Sequence, residues 1–166
     1  LLACNISQEK PGNIDSSFQE TSDTASLDVE FDCSAEHQTL TAGVDEAQLG
    51  SSLPSDYILL SDLACPIIWD DMYKTMVASS EVGKGKTVFF GHEGMLSPSV
   101  DDSNLSQLFK NALEWSGGIP SPTVGIVQPN TSIQVAVEAA GASVASIEWS
   151  QLNELDVLIM HSYDTL

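Results

Sequence analysis

Between Thr123 and Met160 short apolar runs alternate with short polar-faced segments, and this alternation limits the possible folds more than any other feature. Residues 123–127 read as a strand, 131–140 as a helix and 144–149 as a second strand. A short helix over 151–154 then leads into a third strand over 155–160. Strands joined through helices return to the same end of a sheet and so run parallel, which predicts a parallel sheet with helices packed against it.

Upstream, Leu105, Leu108, Phe109, Ala112 and Leu113 fall at i, i+3, i+4, i+7 and i+8, one apolar stripe that predicts a helix over 103–116. Asp102 or Ser103 can cap its start, and Gly117 with Gly118 ends it. Short apolar runs at 57–60, 66–69, 75–80 and 87–90 are separated by turn signals at Asp70, Asp71 and Gly83–Gly85, and they read as adjacent strands or hairpins. The expectation is a single α/β domain over residues 43–166. It is expected to be incomplete at its C-terminal end, because the last apolar run is followed by no closing element.

Residues 5 to about 40 are rich in Ser, Thr, Asp, Glu and Gln and poor in large apolar side chains. Such a stretch buries too little apolar surface to offset its ordering entropy, so residues 4–42 are expected to form a disordered acidic tether. The chain opens Leu1, Leu2, Ala3, Cys4, Asn5, which fits a lipobox: two apolar residues, a small one, then the cysteine that carries the lipid. On this reading residues 1–3 end a signal peptide, Cys4 is lipidated, and Asn5 after it favours the outer membrane of the cell envelope or the cell surface.

The net charge is −19, with five lysines and no arginine. Nucleic acid needs a basic stripe to displace phosphate counterions, so it is excluded as a partner. The same charge repels anionic lipid headgroups, so membrane attachment would rest on the lipid alone. No stretch reaches the roughly 20 apolar residues that span a bilayer. Cys4, Cys33 and Cys65 fit no zinc spacing. If Cys4 carries lipid, Cys33 and Cys65 are left either to pair as a disulfide, which export permits, or to stay as thiols.

Gly83-Lys84-Gly85-Lys86-Thr87 looks like the end of a phosphate-binding loop, but Ser80 stands where the motif needs glycine. The residues that follow, Val88, Phe89 and Phe90, read as a strand and not as the helix that would hold the phosphate, so no nucleotide is expected. Gly91-His92-Glu93-Gly94 is the better candidate, because it follows a strand where α/β sheets place ligand crevices. His161 follows another strand, so His92, Glu93 and His161 form the candidate crevice. Adjacent residues on an extended chain point to opposite faces, which argues against joint ligation by His92 and Glu93, and a structural turn is the competing reading. No Gly-x-Ser-x-Gly elbow or His-Glu-x-x-His motif occurs, so no catalytic residue and no metal ligand is assigned. Met72, Met76, Met95 and Met160 are read as core fillers, and Trp69, Trp115 and Trp149 as core-edge residues unless their indoles are exposed.

The run from Val82 through Gly83, Lys84, Gly85, Lys86, Thr87, Val88, Phe89, Phe90, Gly91 and His92 to Glu93 is joined by two further segments. These are the helix end Leu108-Phe109-Lys110-Asn111-Ala112-Leu113-Glu114-Trp115 and the strand Thr123-Val124-Gly125-Ile126-Val127. Together they resemble the N-terminal domain shared by the TRP-channel-associated factors of animals and bacterial enhancin-like, mucin-targeting metallopeptidases. The resemblance implies a Rossmann-like sheet with flanking helices, similar to class I glutamine amidotransferases without their catalytic cysteine, placed ahead of a peptidase domain. It implies no cofactor in this segment and zinc only in a downstream domain. The functional expectation is a non-catalytic positioning or substrate-binding domain of a lipid-anchored surface metallopeptidase that acts on glycoproteins. An amidotransferase-like or sugar-processing enzyme using His92 and His161, or a glycan-binding adhesion lipoprotein, stands as the alternative.

Overall fold

The computed structural model describes residues 32–47, 57–61, 63–96, 103–128, 130–145, 147 and 149–160. These residues form a mixed α/β arrangement with two separate three-stranded sheets. The first is antiparallel, in the order β1 (Ala64–Trp69), β2 (Thr75–Val82), β3 (Gly85–Phe90). The second is parallel, with β4 (Thr123–Ile126) between β5 (Ser143–Ala145) and β6 (Val157–Ile159). Three helices accompany them: α1 (Ser34–Leu40), α2 (Ser103–Gly117) and α3 (Thr131–Ala139).

The parallel sheet follows from the alternation in the sequence. Asn130 sits in extended conformation before α3, and its side-chain oxygen accepts from the N–H groups of Ser132 at 3.0 Å and Ile133 at 3.2 Å. That satisfies two of the orphan donors at the helix start. Ile133 and Val137, one turn apart, are the buried residues of α3. Val124 of β4 pairs with Val144 on one side and Val157 on the other, so the centre of the sheet is a row of β-branched residues.

Helix α2 builds both halves of the core. Leu105, Leu108, Ala112 and Trp115 pack with Leu40, Ile67, Val77 and Val88 beside the antiparallel sheet. Phe109 and Leu113 pack with Val124, Ile126, Val137 and Ile159 beside the parallel one. One helix divides its apolar stripe between two sheets, and Phe90, which touches both clusters, meets Phe109 edge-on at 5.9 Å. The end of α2 also needs a small residue: a Cβ on Gly117 would lie 2.8 Å from Pro122 Cβ.

The run over 57–60 is not a buried strand. Tyr57 makes a single antiparallel bridge to Thr75, while Ile58 and Leu60 are 85% and 92% exposed. Register explains this, because β3 already occupies that edge of β2 from Val82 to Val77 and leaves only Thr75 open beyond its end. Tyr57 still anchors locally, donating its hydroxyl to the Phe90 carbonyl at 2.6 Å. Burial holds the tyrosine pKa above its ordinary value, which keeps the hydroxyl a donor.

The tether boundary also needs correction, since residues 34–40 form α1 and Leu40 is fully buried. A seven-residue helix with one core side chain is too short to hold itself. Two long-range anchors hold it. Cys33, at its N-cap, is joined by a disulfide to Cys65 on β1. Asn111, only 8% exposed, donates from its amide nitrogen to the carbonyls of Leu40 and Ala42, each at 2.9 Å. Replacing Asn111 with alanine strands two carbonyls at the end of α1, so the expected loss is about 2 kcal/mol of unfolding free energy, measured by urea titration. Cys4 and the rest of residues 1–31 lie outside the described residues.

Candidate functional site

Gly91, His92, Glu93 and Gly94 leave β3 at the end of the antiparallel sheet. Residues Glu93–Leu96 form a 3-10 turn whose last two side chains, Met95 and Leu96, plug the core. The Gly91 N–H donates to the Met76 carbonyl at 2.9 Å, and the Met95 N–H to the His92 carbonyl at 3.2 Å, so the segment's backbone is occupied in turning the chain. The imidazole of His92 is exposed. Ligand crevices of α/β sheets lie at the carboxyl ends of parallel strands, whereas β3 lies in the antiparallel sheet and β6, the strand before residue 161, lies in the parallel one. His161 falls outside the described residues. Among the described residues, no group of three or more His, Cys, Asp or Glu side chains is placed to hold a metal ion. No helix among them is long and apolar enough to cross a membrane.

The lysines of the glycine-rich segment serve the fold or the surface. Gly83, at φ 63°, takes the first position of a two-residue hairpin between Val82 and Gly85, a conformation that favours glycine. Lys86 sits 4.7 Å above the ring of Trp115, so the two motif segments meet as a cation–π pair. Trp115 is a core-edge tryptophan, at 9% exposure.

Large exposed side chains also cluster in sequence at the end of β1 and on the loop that leads to β2. Trp69 is 47% exposed, Met72 70% and Tyr73 85%, so neither Trp69 nor Met72 fills the core. Met76 and Met95 do. The loop is held in shape: the Asp70 carboxylate accepts from the N–H groups of Met72 and Lys74, each at 2.9 Å. The Asp70 carbonyl accepts the Tyr73 N–H, also at 2.9 Å. Tyr73 has φ 61°, in the left-handed region where a side chain costs roughly 1–2 kcal/mol. His37 of α1 lies against Trp69, with ring centroids 5.7 Å apart, and fixes the inner edge of the patch. The sequence carried a signal for this site in Trp69-Asp70-Asp71-Met72-Tyr73, where large apolar residues are interleaved with turn-forming aspartates. Replacing Tyr73 with glycine removes the strain and the ring together. It is expected to raise stability by about 0.5–1 kcal/mol after the extra unfolded-state entropy of glycine, read as a higher thermal midpoint.

A family model described as "TRPM8, N-terminal domain" matches residues 7–165. The chain belongs to this TCAF N-terminal domain family. Among individual relatives, bovine (Bos taurus) TRPM8 channel-associated factor 2 is 27% identical over 131 residues, covering 78% of the chain and 14% of the relative. The Xenopus laevis TRPM8 channel-associated factor homolog is 33% identical over 86 residues, covering 51% of the chain and 9% of the relative. The TCAF-type fold also resembles the IMPa metallopeptidase from Pseudomonas aeruginosa, with TM-score 0.57 and 16% identity over 76% of the chain and 16% of that protein. For IMPa in complex with an O-glycopeptide, the TM-score is 0.58 at 17% identity, over 75% of the chain and 16% of that protein. The domain is therefore shared by TRPM8 channel-associated factors and, as a fold, by IMPa, and the chain spans a small part of the length of each.

Proposed function

We propose that this TCAF-type domain is a non-catalytic substrate-binding domain at the N-terminus of a lipid-anchored surface metallopeptidase that acts on glycoproteins. The observation that carries the reading is the exposure of Trp69, at the end of β1, and of Met72 and Tyr73 on the hydrogen-bonded loop that follows. Aromatic rings with a polar tip pack against the apolar faces of sugars and peptides while keeping one edge wet. A loop already fixed in its bound shape loses little entropy on binding. The likeness to IMPa, a metallopeptidase whose structure in complex with an O-glycopeptide is known, supports an O-glycosylated substrate class.

On this reading β4, α3, β5 and β6 are the core of a Rossmann-like unit, and the zinc and peptide-cleaving residues belong to a downstream segment. Cys4 would carry the lipid that holds the protein at the cell envelope, with palmitate labelling lost in Cys4→Ala as the check. Binding is tested by titrating an O-glycopeptide and its unglycosylated counterpart against the full chain and following tryptophan emission. Saturable binding of the glycopeptide is expected, weakened about tenfold in Trp69→Ala and Tyr73→Ala at unchanged or raised thermal midpoints. Equal binding by both variants would remove the patch from the mechanism.

A further inference from the structure

The inner face of the antiparallel sheet is apolar until it reaches Ser79. On β2, Val77 is fully buried and Ser79 is 1% exposed, paired with Cys65 on β1 and Val88 on β3, both buried core residues. A buried hydroxyl normally finds a partner, because leaving it unsatisfied costs about 1–3 kcal/mol. Ser79 Oγ has none. Ser79 is also one of the residues that line a cavity of about 270 Å³, with Glu36, Leu63, Cys65, Glu81 and Gly83 among the others. The walls therefore bring together two carboxylates from different elements, one buried unpartnered hydroxyl, and an apolar surface made by Leu63 and the Cys33–Cys65 disulfide.

We propose that this cavity binds a primary ammonium group carried on an alkyl stem, such as a lysine side chain or a free alkylamine. The ammonium offers three N–H donors and no acceptor, and Glu36, Glu81 and Ser79 offer three acceptors. The methylene stem packs on Leu63 and the disulfide, as amphipathic cations do on apolar walls. A hard divalent ion fits worse, because calcium takes six to eight oxygen ligands and these walls bring few. A quaternary ammonium prefers aromatic faces, and none of the lining residues is aromatic. Lys86 reaches Glu81 at 3.6 Å, but both side chains are over a third exposed, and such an exposed pair yields readily to a better-placed cation. The net charge of −19 raises the local concentration of any cationic ligand.

The test is an NMR titration of the full chain at fixed ionic strength with n-butylammonium, with n-butanol as the neutral isostere, and with N-acetyl-lysine methylamide. Saturable shifts are expected at the amides of Leu63, Ser79, Ser80 and Gly83. Affinity should fall about tenfold in both Ser79→Ala and Glu36→Gln. Glu36 sits in the first turn of α1 and outside the sheet, half-buried, so Glu36→Gln keeps the proposal testable if Ser79→Ala disturbs the sheet. Binding of the lysine derivative as well as butylammonium points to a protein lysine as the source, and binding of butylammonium alone to a free amine. Equal binding of n-butanol, shifts scattered over the acidic surface without saturation, or a site that takes calcium and not the amines would each overturn the proposal.

Discussion

Replacing Cys33 and Cys65 together with alanine is expected to lower the unfolding free energy by about 3–4 kcal/mol. The bridge closes a loop with a sequence separation of 32, and the chain-entropy relation assigns a loop of that length about 3.7 kcal/mol. Cys65 is 1% exposed within the core cluster, so losing its sulfur also removes packing. The effect is local as well as global. Without the bridge, α1 keeps Leu40, the His37–Trp69 ring contact and the two Asn111 hydrogen bonds, too little to hold a seven-residue helix continuously. Urea titration of the oxidised and variant proteins measures the global term. Hydrogen exchange at the amides of His37 and Thr41, whose N–H groups bond within and just after α1, measures the local one. A variant with an unchanged midpoint and unchanged protection in α1 would mean that packing alone holds the helix.

Leu108→Ala is expected to cost about 3–5 kcal/mol. Leu108 is fully buried at the middle of α2, where its stripe begins to divide between the two sheets. A cavity there is hard to collapse, because the sheet strands on one side and Leu40 on the other are themselves anchored. Leu108→Met keeps most of the volume and is expected to cost under about 1.5 kcal/mol. If the two substitutions proved equal, Leu108 would sit in a yielding part of the core. A change in the urea slope in Leu108→Ala without a change at Leu108→Met would show the two sheets coming apart in separate steps, since both depend on α2.

Where one face of an element is buried, the sequence reading and the structure agree closely. The stripe from Leu105 to Leu113 becomes α2, and the alternation after Thr123 becomes β4, α3, β5 and β6 in order. The agreement fails where long-range bonds replace burial. Helix α1 has almost no apolar pattern, and what orders it, the Cys65 sulfur and the Asn111 amide, lies far away along the chain. Periodicity cannot report that. The 57–60 run shows the converse, an apolar stretch left outside a sheet whose edge was already taken.

The candidate site divides in the same way. His92 and Glu93 follow a strand, a position that opens a ligand crevice in a parallel sheet, and which sheet a strand joins depends on distant pairing. The exposed loop needed the register: only when Trp69 pairs with Thr75 are Met72 and Tyr73 forced out beyond the sheet.

On the proposed reading, this domain recognises a substrate through the β1–β2 loop and performs no chemistry on it. The most direct test is to add an unlabelled O-glycopeptide to the isotopically labelled full chain, follow backbone amide shifts, and assay the same tube for cleavage by mass spectrometry. Saturable shifts centred on Trp69, Met72 and Tyr73 are expected, with the glycopeptide recovered intact. Shifts centred on Gly91 and His92, accompanied by product, would contradict it.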